Sequence, residues 1–273
     1  AEAAVEWGAE LVKVKVAPGS DVEQLGAVVA AVGAGSVAAD ANGTYRSVDE
    51  ARGLDRLGLR YLEQPFAPSL GADELAARHA ALDTPVALDE SLTSLREVEQ
   101  ALAVGHLAAV SVKPSRLGGV QTAARVVATA SEAGVAAFVG GMLELGIGRA
   151  AAAAVASLPG CTWPTDLGPS DHYVAEDVCD AVVVDERGRL VVPEGPGVGR
   201  TPDEHALDDR ERSAQLRGDS IEVDDEIAGL IETVDKKARD HPLGGSRDQG
   251  ADLLQEMVGK REASGDELVD VRR

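Results

Sequence analysis

A charged residue closes one short apolar segment after another in the first half of this chain: Lys15, Asp40, Glu63, Asp89 and Lys113, at separations of 25, 23, 26 and 24 residues. That interval is the length of one strand, one helix and two loops. A strand-helix unit repeated at so even a period lays successive strands side by side and parallel, because each crossover helix returns the chain to the same end of the sheet. The five side chains then project from one end of neighbouring strands, with two amines flanking three carboxylates.

Strands are predicted at Leu11 to Val16, Ser36 to Asp40, Tyr61 to Glu63, Val86 to Asp89, Ala109 to Lys113 and Ala136 to Gly140, with a weaker one at Cys161 to Asp166. Helical patterns fill the intervals at Val22 to Val32, Ser47 to Leu57, Asp73 to Leu82, Ser94 to Val104, Gly119 to Ala133 and Gly146 to Ser157, with Asp21, Ser47 and Ser94 placed to cap three of them. Six or seven parallel strands with crossover helices predict an α/β fold of the TIM-type (β/α) barrel kind, since a doubly wound sheet seldom keeps so regular a period. Val182 to Val184 and Leu190 to Val192 flank Asp185 to Gly188 as a hairpin with a four-residue turn. The barrel domain is assigned to residues 1–212. Residues 213–273 read as an acidic C-terminal tail, partly helical or disordered; residues 200–273 hold 20 acidic and 12 basic side chains. Within it Ile227, Leu230, Ile231 and Val234 form one amphipathic helical pattern, and Leu253, Leu254, Met257 and Val258 a second.

Several function classes are excluded early. A net charge of −21 without a basic cluster leaves no surface for nucleic acid or an anionic membrane. No apolar run approaches the roughly 18 residues of a membrane span. Cys161 and Cys179, without a secretory segment or metal-ligand spacing, read as reduced thiols in a cytoplasmic protein. A homo-oligomer is compatible with these features. Lysine is scarce: Lys13, Lys15 and Lys113 are the only lysines in the first 235 residues. Arginine keeps its proton at any working pH whereas a crowded lysine can lose one, so lysine at these places fits a need for a titratable amine.

Lys13 and Lys15 lie two apart and share one face of their strand. Val12, Val14 and Val16 pack outward against helices, which turns both lysines into the barrel, and their mutual repulsion is expected to make Lys15 a usable base. A single acid at a strand end is most often a cap or a solvated loop residue. Three at one mouth repel each other and call for a cation, and a hard ion such as magnesium (Mg2+), with Mn2+ as a substitute, takes carboxylate oxygens while keeping positions open for substrate. Asn42, two residues past Asp40, is expected to face the same cavity, and Glu90, in a structural role, to point away from Asp89 if the strand continues that far. Lys113 falls across the mouth from Lys15, so a small-molecule carboxylate would sit between two amines.

In order and spacing, Lys13-Val-Lys15, Asp40-Ala-Asn42, Glu63-Gln-Pro65, Asp89-Glu-Ser91, Lys113-Pro and Gly140-Gly-Met142 resemble the muconate-lactonizing subgroup of the enolase superfamily. Gly140 to Arg149 and Asp166 to Tyr173 look most like o-succinylbenzoate synthases and the related N-acylamino acid racemases. The likeness covers roughly residues 1 to 205. It implies Mg2+ on Asp40, Glu63 and Asp89, catalytic amines at Lys15 and Lys113, Lys13 tuning Lys15, and substrate contacts from Asn42, Gly141 and Met142. It also implies the activity: Mg2+-dependent syn-dehydration through an enediolate to o-succinylbenzoate for menaquinone, or racemisation of N-acylamino acids with the two lysines exchanging acid and base roles. Members of this family carry an N-terminal capping domain and a first barrel strand, neither of which is found before Ala1. A non-catalytic or incomplete barrel serving a binding partner is the alternative of another class. Asp166-Leu-Gly replaces the Asp-x-Asp with which dipeptide epimerases hold an amine.

Overall fold

The computed structural model of the protein describes residues 10–19, 21–172, 176–185, 188–207 and 268–269. Strands and helices alternate: β1 (Val12–Lys15), α1 (Asp21–Val32), β2 (Val37–Asp40), α2 (Val48–Ala51), β3 (Tyr61–Glu63), α3 (Ala72–His79), β4 (Val86–Leu88), α4 (Leu95–Val104), β5 (Ala109–Val112), α5 (Val120–Glu132), β6 (Ala136–Val139) and α6 (Gly146–Ala156). The six strands pair in sequence order and all are parallel. Consecutive order without reversal is the winding of a barrel wall, not of a doubly wound sheet.

Period-two alternation sorts the side chains into two faces. Val37, Ala39, Leu62, Val86, Leu88, Val110, Val112, Ala137 and Val139 are buried in two clusters that take in the helices. On the other face Leu11, Ala38, Tyr61, Ala87, Ala109 and Phe138 form a separate apolar cluster, with Trp163 packed against it. Tyr61 and Trp163 rings stack at 4.9 Å, and Phe138 lies 5.6 Å from Tyr61. One step further along each strand stand Lys13, Asp40, Glu63, Asp89, Ser111 and Gly140, so this face carries an apolar layer beneath a charged one. Burying this aromatic plug stabilises the floor on which the charged layer rests, at about 25 cal/mol per Å² of apolar surface.

Helix boundaries follow local chemistry. Ser47 and Ser94 cap α2 and α4, accepting the backbone N–H of Glu50 and Glu97. Asp21 is not a cap: it lies in the first turn of α1, buried, and accepts a hydrogen bond from the Tyr45 hydroxyl. The helix expected over Ser47 to Leu57 divides into α2 and a 3-10 helix, Arg52–Leu57. The helix expected to reach Leu82 ends at His79, and Asp55 takes the N–H groups of Asp83 and Thr84 just beyond it.

Cys161 to Asp166 does not form the seventh strand expected; a single parallel bridge, Ala137 to Cys161, marks its place. The predicted hairpin is present as an antiparallel bridge between Val184 and Leu190, with β7 (Leu190–Val191) in its second arm. A two-residue strand, β8 (Leu268–Val269), pairs antiparallel with β7, where the sequence held no strand signal. The two amphipathic patterns of the tail lie outside the described residues. Among the described residues no helix is long and apolar enough to cross a membrane.

Candidate active site

The register sets the site. Lys15 is the Cα partner of Asp40, and Asp40 of Glu63, so three of the marker residues stand in one row across β1, β2 and β3. Asp89 and Lys113 directly follow β4 and β5. All three acids are buried, with Glu63 and Asp89 each 1% exposed. Unpaired carboxylates at such depth would cost several kcal/mol each, on the order of the desolvation penalty, and each meets a cation. Lys15 Nζ donates to Asp40 Oδ2 at 3.0 Å, Lys13 Nζ to Glu63 Oε2 at 3.1 Å and Lys113 Nζ to Asp89 Oδ2 at 2.6 Å. Arg116 Nη1 reaches the other Asp89 oxygen at 2.6 Å.

The two outer amines differ in setting. The Lys15 side chain is 74% exposed and also donates to Asn42 Oδ1 at 2.7 Å, whereas that of Lys113 is 12% exposed. Lys13 is the most enclosed by charge, lying between Glu63 and Asp166 and 5.8 Å from the Phe138 ring centroid. Burial alone would lower its pKa, but the charges of Asp166 and Glu63 outweigh that and raise it above the ordinary lysine range. The expected repulsion of Lys13 against Lys15 is thus offset, because Lys13 is committed to two carboxylates. Burial pushes the Glu63 carboxyl up; Lys13 opposes this, Asp40 and Asp89 reinforce it, and the value reaches about 8.

Backbone geometry at the mouth is special. Asn42, two residues beyond the β2 acid, and Gln64, directly beyond the β3 acid, adopt positive φ of 43° and 39°. Gln64 is fully buried; its Oε1 accepts the N–H groups of Asp89 and Ser91 at 3.0 and 3.1 Å while its Nε2 donates to Phe66 O and Ser91 Oγ. It thereby joins the ends of β3 and β4 and holds Asp89 in place. The Gly140-Gly141 pair has a steric reason. A Cβ on Gly140 would come within 2.7 Å of Ser111 Oγ and 2.8 Å of Lys113 Cε, and one on Gly141 within 2.8 Å of the Arg149 guanidinium.

The condition set for Glu90 is not met, because the strand does not continue past Asp89. The strand ends at Leu88, the chain turns through a Leu92 N–H to Asp89 O bond of 2.9 Å, and Glu90 Oε1 accepts from Asn42 Nδ2 at 2.8 Å. Sequence reasoning also missed Gln64, Arg116, Arg149 and, as an interior group, Asp166. The periodicity could have found Asp166: it lies 26 residues past Gly140, one more repeat of the same interval. Cys161 and Cys179 are free and partly buried, and burial pushes the Cys161 thiol up to about 12.

Among the described residues no three His, Cys, Asp or Glu side chains converge on one point as metal ligands do. The carboxylates are instead turned to the ammonium groups. The donor chemistry still fits a hard divalent ion: three buried, mutually repelling carboxylates in one layer, whose pairing with the lysine ammonium groups a cation could replace.

Residues 1–206 match the family model described as enolase C-terminal domain-like. The chain belongs to this family. Among curated relatives it is 40% identical over 197 residues to an N-succinylamino acid racemase from Thermus thermophilus, a match covering 71% of this chain and 53% of that protein. It is 36% identical over 217 residues to an o-succinylbenzoate synthase from Geobacillus kaustophilus, covering 78% and 57% respectively. A solved structure of a probable mandelate racemase from Alicyclobacillus acidocaldarius superposes with a TM-score of 0.69 at 41% identity, covering 76% of this chain and 55% of that one. The chain therefore spans about half the length of the curated relatives it matches.

Proposed function

We propose that this chain is the catalytic barrel portion of a Mg2+-dependent o-succinylbenzoate synthase, a carbon–oxygen lyase that dehydrates a cyclohexadiene carboxylate in the cytoplasm. The observation that carries the reading is the charged layer itself: Lys15 and Lys113 pair with the first and last of three buried acids on successive strands. When bound to Asp40, Glu63 and Asp89, a divalent cation would supply the positive charge that makes a proton beside a carboxylate acidic. Lys15, reaching into solvent, takes that proton and returns it to the departing hydroxide, which leaves as water. Lys113, enclosed beside Asp89 and Arg116, keeps its charge and steadies the anion formed. Lys13 holds Glu63, and Asn42 holds Lys15 toward the acids. Gly141 and Met142 line the substrate's side of the mouth.

The racemase reading uses the same parts, with each lysine acting on one face of the α-carbon, and the Thermus relative's name favours it as much as the synthase names favour the first. Closure of the sheet into a full (β/α) barrel belongs to the proposal, supported by Lys13 on β1 reaching Asp166 beyond β6. So does the division into a barrel domain, 1–212, and a tail, 213–273. The test is an assay of the purified protein with Mg2+ against the cyclohexadiene carboxylate precursor and against N-succinyl amino acids. Dehydration faster than racemisation supports the synthase and the reverse the racemase. Activity on neither, with Mg2+ bound, sinks both in favour of a non-catalytic binding barrel.

A further inference from the structure

Asp166 joins two parts of the mouth. One oxygen, Oδ1, accepts the Gly141 N–H at 2.7 Å; the other, Oδ2, accepts from Lys13 Nζ, which also donates to Glu63. Gly141 opens the loop between β6 and α6, and Lys13 belongs to β1. The loop's backbone is fixed again one residue on: Met142 O accepts from Arg149 Nη2 at 2.8 Å and Met142 N–H donates to Glu144 Oε2 at 3.2 Å. Glu144 in turn pairs with Arg149, whose side chain is fully buried. The side chains of the same loop are left out of the core, Met142 at 42% and Leu143 at 85% exposure. A segment with an anchored backbone and exposed apolar side chains is arranged to present them.

We propose that Asp166 is a positioning residue that latches the loop 140–145 to β1 through Lys13, holding Met142 and Leu143 in a fixed place beside the charged layer. Asp166 touches neither the reacting amines nor the candidate metal ligands directly, so it acts through Gly141 and Lys13. Lys13 serves as the far end of the latch because one ammonium donates to Glu63 and Asp166 together. For its kinetic readout, and only for that, the inference rests on the proposed function.

The test is amide hydrogen exchange at Gly141, with steady-state kinetics on the same samples, for the wild type, Asp166→Ala, Asp166→Asn and Lys13→Met. The latch predicts that Asp166→Ala speeds Gly141 exchange at least tenfold and raises KM at least tenfold while kcat changes by less than threefold. Asp166→Asn keeps an oxygen for the Gly141 N–H but turns an amide NH2 toward the Lys13 ammonium, so it is expected to behave as Lys13→Met does and speed Gly141 exchange at least threefold. Lys13→Met, which removes the far anchor, is expected to speed Gly141 exchange at least threefold, and it carries the test if Asp166→Ala does not fold. Wild-type Gly141 exchange in folded Asp166→Ala or in Lys13→Met overturns the latch. Fast Gly141 exchange without turnover of either substrate class leaves the latch standing and removes the proposed function; turnover with unaltered exchange does the reverse.

Discussion

Gln64 occupies a left-handed backbone conformation that costs a non-glycine residue on the order of 1 kcal/mol or more, immediately after Glu63. Its four hydrogen bonds are what hold it there. Replacing it with leucine removes the acceptor for the N–H groups of Asp89 and Ser91, each of which would be left unsatisfied at about 1–3 kcal/mol. Gln64→Leu is therefore expected to lower stability by about 2–6 kcal/mol in urea unfolding, and to shift Asp89 from Lys113. Equal stability of the two proteins would show that water replaces the amide. The acids and lysines were legible in sequence because each ends an alternating strand. Their partners were not: Lys13 meets Asp166 across 153 positions and Glu63 across 50, distances over which no local pattern carries information. The direction of Glu90 was legible only on condition that the strand continued, since alternation holds only while the strand lasts, and β4 stops at Leu88.

At the scale of elements, α3 turns Leu75, Ala76 and His79 inward at helical spacing. His79 stacks on Phe66 at 6.0 Å, is 4% exposed, and has no hydrogen-bond partner at Nε2 among the described residues. Burial, with a smaller contribution from His106, pushes its pKa down to about 4. A group depressed in the fold favours the neutral form, so its contribution is complete above the unfolded value near 6.5 and drains away as pH falls toward 4. Between pH 7 and pH 4.5 the wild type should lose about 2–3 kcal/mol more than His79→Gln, measured by urea unfolding of both at each pH. Parallel losses would contradict a buried neutral imidazole. Helix starts at Ser47 and Ser94 were readable because a serine cap works through its own neighbours. The break after Ala51 was not, since it reflects α1 packing against the 3-10 turn, where a Cβ on Gly53 would come 2.8 Å from Val22 Cγ2.

Over the whole molecule, the repeat interval revealed the parallel winding because one strand-helix unit occupies a fixed contour length. The missing seventh strand escaped the same logic, as Cys161 to Asp166 keeps the interval and the acid at its end but only one bridge to the sheet. What the winding achieves is to gather, from strands far apart in sequence, an apolar plug and above it a layer of three acids flanked by amines. If that layer takes a divalent ion, Mg2+ at about 100 times its Kd should stabilise the fold by about 2.7 kcal/mol. Differential scanning calorimetry is expected to show this rise in Tm for the wild type and none for the variant carrying Asp40→Asn and Asp89→Asn. The most direct measurement of the proposed function's central claim, that Lys15 removes a carbon-bound proton while Lys113 steadies the anion formed, is the rate of dehydration of the cyclohexadiene carboxylate with Mg2+, followed by NMR. Wild-type protein should form the aromatic product, while Lys15→Ala and Lys113→Ala should each slow its formation by at least 100-fold; wild-type rates in both variants would contradict the account.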